Sequence, residues 1–308
     1  MSASMNVSSV ENRQSIIIVV GSVFLLSVSD AIIKAASAQI SLWQLNVIRS
    51  LLAVVMLAAL VLLRNGKDSL WPQSPGWATL RGLLLALMWI AFYAALPFIT
   101  LTMAALAIYT TPLFITLFSS IYLKERITPR KWFSIVLGFA GVLVTLNPTA
   151  DDFSPYALLP ILAAILYALA AVVTRGKCAD EDAMVLAMVM NLVLLASGLL
   201  GSLLIVMAGP LEPQQGQLRF LLGDWSYMQL ADWTLMVLLA VLMVLVSTGI
   251  ARAYQIGEPS IIGAFDYTYL VFAILWGVLV FEESLNARTV TGLVMILMSG
   301  FILLKKTA

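Results

Sequence analysis

Three ionisable residues stand where an apolar sequence has least use for them. Asp30, Arg49 and Asp266 each interrupt a long hydrophobic stretch, and a charge at the centre of a membrane helix costs about 2.5–3.5 kcal/mol on insertion scales. Such a residue is kept for a partner, for water or for work on a ligand. Lys34 follows Asp30 by one helical turn on the same face. If the stretches bearing Asp30 and Arg49 run antiparallel, each residue lies about 10–12 Å from the same outer end at 1.5 Å per residue. Asp30, Lys34 and Arg49 are therefore expected to form an outer polar cluster. Asp266, in Phe265-Asp266-Tyr267-Thr268-Tyr269, enters about 10 Å from the opposite side, with Arg175 and Asn191 as the expected members of an inner cluster. If each cluster closes one end of a pathway, breaking the two clusters biases the molecule in opposite directions. Carboxylates so placed bind a ligand's ammonium group or carry a proton. The plainer readings are a buried pair that only orients two helices and an aspartate that reaches towards water.

Trp89, Tyr93, Tyr109, Tyr167, Tyr254, Tyr267 and Tyr269 supply stacking surface with a polar handle, and are the expected walls of a binding cavity. Trp43, Trp71, Trp77, Trp132 and Trp225 fit interface anchors better. Pro112 removes a backbone hydrogen bond and frees a carbonyl for a ligand or a hinge. Small-residue spacings, Ser197-xxx-Gly201 and Gly198-xxx-Ser202, read as helix packing. With no histidine and one cysteine, Cys178, imidazole bases, metal clusters and disulfides drop out. No catalytic residue, metal site or cofactor is expected. A concentrated basic patch for nucleic acid is missing as well.

The elements that must position these residues are membrane helices. Of 308 residues 62% are hydrophobic and 11% charged, with a mean hydropathy of +1.01, whereas soluble domains carry about 25% charged residues. The apolar runs are continuous, which excludes a β-barrel's alternation. At about 20 residues per span, ten spans are expected, at 15–37, 42–63, 79–98, 103–123, 131–147, 155–174, 184–208, 231–252, 259–281 and 288–304, after a cytoplasmic tail at 1–14. The N-terminal run mimics a signal peptide, but Asp30 and Lys34 precede the Ala36-Ser37-Ala38 site, so the segment is read as a retained helix. With the N-terminus inside, 13 of the 17 Lys and Arg, Arg81 among them, fall on the cytoplasmic side. The positive-inside rule then predicts an N-in, C-in topology.

The chain also repeats itself. A shift of 158 superposes Ala95 on Ala253, Tyr109 on Tyr267, Phe114 on Phe272, Leu117 on Leu275, Glu125 on Glu283 and Arg130 on Arg288. A shift near 141 places Lys34 on Arg175 and, within one residue, Arg49 on Asn191. Two five-span units, 15–148 and 155–304, must enter the membrane from opposite faces. Such an inverted repeat marks secondary transporters.

The endings Tyr122-Leu-Lys-Glu125-Arg-Ile-Thr128 and Val280-Phe-Glu-Glu283-Ser-Leu-Asn286 resemble the repeat signature of the EamA family in the drug/metabolite transporter superfamily. The helices bearing Gly138, Gly141, Gly292 and Gly300, and the Ile165–Arg175 stretch, are similar to it too. The resemblance spans nearly the whole chain. It implies ten helices in two inverted five-helix bundles around a central cavity, lined by helices 3, 4, 6, 8 and 9, and transport of small organic metabolites. Asp30-Ala-Ile-Ile-Lys34 with Gln44 and Arg49 resembles members that move S-adenosylmethionine or riboflavin.

The expectation is an all-α carrier of the inner or plasma membrane, not an enzyme. It would move a small polar or zwitterionic, amino-acid-like metabolite by alternating access, by export. Uptake or exchange of a cofactor-like metabolite is the second reading, and a lipid flippase or transporter subunit a remote third. Proton coupling and a homodimer are compatible with all three.

Overall fold

The computed structural model describes residues 9–36, 40–65, 70–95, 98, 107–146, 155–208, 222–281 and 287–304. Every regular element among them is helical. Uninterrupted runs of Leu, Val, Ile and Ala satisfy their backbone internally, which is the condition for crossing lipid. The first half holds α1 (Ser9–Ala36), α2 (Leu42–Asn65), α3 (Pro75–Ala95), α4 (Thr111–Tyr122) and α5 (Pro129–Leu146). The second holds α6 (Leu158–Lys177), α7 (Ala183–Ala208), α8 (Leu230–Ile256), α9 (Pro259–Phe265), α10 (Thr268–Phe281) and α11 (Ala287–Leu304). Among the described residues seven spans are long and apolar enough to cross a membrane, α9 and α10 counting as one, and two shorter apolar helices accompany them. This is a multi-pass membrane protein, and ten helices fit it.

Two expected continuous spans are different in the structure. The ninth breaks at Asp266–Tyr267, where the chain makes turns, with Asp266 N–H donating to Gly263 O at 3.2 Å. In the fourth, a turn at Tyr109–Thr110 precedes α4, while residues 101–106 lie outside the described residues. Pro112 sits in the first turn of α4, where its missing N–H costs nothing, so it starts that helix instead of kinking it. Thr110 and Thr111 hydroxyls donate to Ala107 O and Ile108 O at 2.6 Å each, tying the turn to the residues before it. Under the 158-residue shift the two breaks overlap at Tyr109 and Tyr267, one residue out of register.

Helix pairing crosses between the halves: α1 packs on α8, α2 on α7, α3 on α6, α5 on α11, α4 on α6, and α1 on α10. Exchanging the first five spans for the last five leaves these six pairs unchanged, whereas the α7–α8 contact has no comparable α2–α3 partner among the described residues. The small residues make the close approaches. A side chain at Gly198 would press on Val47 at 2.9 Å and one at Gly201 on the ring of Trp43, so these glycines serve α2–α7 packing, as their spacing implies. Between α5 and α11 the backbones themselves meet, a Cβ at Gly141 falling 2.8 Å from Gly292 O.

Candidate functional site

Between the halves lies a cavity of about 260 Å³, at the small end of the roughly 300–1,000 Å³ usual for small-molecule sites. Residues of α1, α3, α4, α6, α7, α8 and α10, with the turns before α4 and α10, line it. Fourteen of its 24 lining residues are apolar, and the other ten bring a hydroxyl or a charge, four of them tyrosines. Asp30 comes from α1 and Asp266 from the break between α9 and α10. Tyr269 OH donates to Asp30 Oδ2 at 2.6 Å. Tyr254 OH donates to Asp266 Oδ2 at 2.8 Å, while Asp266 Oδ1 is buried without a hydrogen-bond partner. Tyr167 faces the same carboxylate and meets Tyr254 edge to face with ring centroids 6.2 Å apart. Tyr109, 6.5 Å from the ring of Tyr269, lies in the field of both Asp30 and Asp266.

This changes the expected arrangement. The two aspartates do not head separate outer and inner clusters; they share one cavity. The bond made by Asp30 is to Tyr269, although Arg49 acts on it through its charge. Arg49 Nη2 donates to Asn46 Oδ1 at 3.3 Å and lines a neighbouring cavity of about 280 Å³ with Trp43 and Phe98. Trp89 is in the wall of both cavities. The side chains of Lys34 and Tyr93 lie outside the described residues.

Arg175 and Asn191 do not gather around Asp266. Arg175 donates to Gln255 O near the end of α8, and Asn191 donates to Ala187 O at 2.9 Å within α7. Tyr267, the symmetric partner of Tyr109, is 1% exposed and outside the cavity lining, packed with Val142, Leu270 and Ile296 and with its ring centroid 6.4 Å from that of Tyr109. Its ring lies over Gly138, which is why that position has no side chain.

One charged lining residue was not expected there. Arg81, counted as a loop charge, is 3% exposed and lines the cavity. Its Nε donates to Thr174 Oγ1 at 2.7 Å and its Nη1 to Leu186 O at 3.4 Å. The available signal was position: Arg81 lies inside the expected third span, 79–98.

A second polar assembly joins the halves outside the cavity. Lys131 Nζ lies 2.9 Å from Glu125 Oε1 and also pairs with Glu258. Ser260 donates to Glu125, and the Glu258 N–H donates to Asn12 Oδ1 at 3.0 Å. Lys124 takes a positive φ of 54°, the left-handed turn that ends α4 and brings Glu125 back over it. Burial pushes the Glu125 carboxyl above its usual range, against the pull of Lys131 and Ser260. Lys131→Met strands two carboxylates, one of them largely buried, and is expected to cost about 1–3 kcal/mol. Adding Glu125→Gln should recover part of that loss, read as the Tm of the detergent-solubilised protein. Unchanged Tm in the single variant would show that the network contributes nothing to stability.

A model of the EamA-like transporter family matches residues 13–147 and 154–305. The chain is 26% identical over 279 residues to a riboflavin transporter of Vibrio cholerae serotype O1, covering 89% of this chain and 87% of that protein. It is 26% identical over 290 residues to the pseudopaline exporter CntI of Pseudomonas aeruginosa, covering 93% and 94%. To an S-adenosylmethionine uptake transporter of Rickettsia conorii it is 25% identical over 277 residues, covering 88% and 85%. One protein crystal structure superposes with a TM-score of 0.77 at 19% identity, covering 94% of this chain and 96% of that one, a likeness of fold.

Proposed function

Because the chain belongs to the EamA-like transporter family, we propose that it is a secondary transporter of the cell's inner membrane, moving a small zwitterionic, amino-acid-like metabolite by alternating access. The observation that carries this reading is the single cavity holding one carboxylate from each half, Asp30 and Asp266, among tyrosine hydroxyls. Acceptors of that kind suit an ammonium group or a proton. Residues 15–148 and 155–304 act as the two inverted repeats, with both termini cytoplasmic. Two supports are the six helix pairs that survive exchange of the halves and the interrupted spans at overlapping positions, since broken helices flank midplane sites in transporters of this kind.

Export is the direction assigned, as in the relative named a pseudopaline exporter. Uptake of a cofactor-like solute is the second reading, favoured by the relatives named for riboflavin and S-adenosylmethionine. The cavity's small volume favours the first. The test is transport into proteoliposomes, with and without a proton gradient, of amino acids, S-adenosylmethionine, riboflavin and cationic drugs. Saturable movement of an amino acid is expected; lipid scrambling with no solute movement would overturn the reading. Reporter fusions after Lys67, Lys177 and Ala308 should read cytoplasmic and one after Gln215 outside, and a cytoplasmic signal at Gln215 would remove the inverted repeat.

A further inference from the structure

Resting on the transport reading above, we infer that Arg81 is the receptor for a carboxylate of the transported molecule, so that the cavity selects solutes bearing an anionic group together with a cationic one. Arg81 is a buried guanidinium in the wall that also holds Asp30 and Asp266. Its hydrogen bonds go to neutral acceptors, Thr174 Oγ1 and Leu186 O, and no carboxylate of the described residues lies within ion-pair distance of it. A guanidinium carries five N–H donors, and these two bonds leave donors over while fixing the plane of the fork. An ionisable residue kept facing a cavity inside a membrane protein is by default a ligand-site residue, and Arg81 has no carboxylate beside it among the described residues. The planar fork matches a carboxylate with two parallel bonds.

The opposite pole lies in the same cavity. Tyr167 lies in the field of both Arg81 and Asp266, so one tyrosine of the lining senses the positive and the negative end together. An amino-acid-like solute places its carboxylate at Arg81 and its ammonium towards the aspartates. A cation with no acid group leaves Arg81 uncompensated, which is how the site would reject it.

The test is ligand binding to purified protein, read as Tm shift and titrated affinity, with the L-amino acids as probes and, for each that binds, its carboxamide, at about pH 6 so that the α-ammonium of both stays charged. The wild type should bind the acid at least about 10-fold more tightly than the amide, the penalty expected for an unpaired buried charge. Arg81→Gln should bring the two within about twofold of each other, a change that a residue merely tying α3 to α6 and α7 would not produce. Arg81→Lys keeps the charge and should keep the preference; it serves if Arg81→Gln does not fold. A wild type that binds amide and acid equally, or an Arg81→Gln protein that retains the preference, overturns the assignment. Transport of a solute without a carboxylate, and of no amino acid, overturns it while leaving the transport reading intact; a protein that moves no solute overturns both.

Discussion

Asp266→Asn protein should reach the membrane in normal amounts and transport substrate at no more than about a tenth of the wild-type rate. The amide keeps an acceptor for Tyr254 OH, now 2.8 Å from Asp266 Oδ2, so the α9–α10 break has little reason to unfold. What is lost is the charge. A hydrogen bond to a charged group contributes about 1.5–3 kcal/mol, which corresponds to about 10- to 100-fold in affinity. Asp30→Asn should act in the same direction, because Asp30 faces the same cavity and Tyr109 lies in the field of both. If one solute touches both, the double variant should fall less than the product of the two singles. Initial rates in proteoliposomes, normalised to protein inserted, decide this; two near-wild-type variants would remove the carboxylates from the mechanism.

Gly292→Val should leave little folded protein. The Cβ of any side chain there would lie 2.9 Å from Thr145 N and closer still to Gly141 O. These are backbone atoms of a facing helix, so no rotamer relieves the clash and α5 and α11 must part. Overpacking of ordinary cores costs about 1–3 kcal/mol, sometimes more, and backbone contact puts this site at or beyond the upper figure. Gly292→Ala should lower Tm measurably and Gly292→Val should abolish the monodisperse peak in size-exclusion chromatography. By contrast, a Cβ at Gly21 would meet nothing within 4 Å, and Gly21→Ala should fold without loss. Equal behaviour of the three variants would show that the helices separate freely.

The membrane class, the spans and the family were legible because hydropathy and the repeat endings act over tens of residues. So was the packing role of Gly198 and Gly201. The breaks at Tyr109–Thr110 and Asp266–Tyr267 were not, since neither holds a glycine and Pro112 lies past the first of them. Arg81 was hidden by the charge count itself, which treats basic residues near a span's end as loop residues. Tyr109 and Tyr267 correspond in the repeat, yet one lines the cavity and the other packs against α5 and α11. A shift that aligns sequence does not equalise the neighbours each half meets. The Lys131–Glu125–Glu258 network joins residues 127 and more positions apart, beyond the reach of local pattern.

The pairing set that is unchanged by exchanging the halves has an energetic corollary. If the proposed carrier works by swapping the shapes of its halves, its two states bury those six helix pairs alike and differ in energy where the halves differ in sequence or in pairing. Lys131 marks such a difference: Thr289 stands 158 residues after it, and Thr100 stands 158 before Glu258. A tilt of only about 1.4 kcal/mol changes a two-state ratio tenfold. In such a carrier an ion network of this size would be a ballast on a nearly level balance, biasing which mouth stands open at rest. Net flux would still take its sign from the solute gradients, so the same carrier would run backwards when they are reversed.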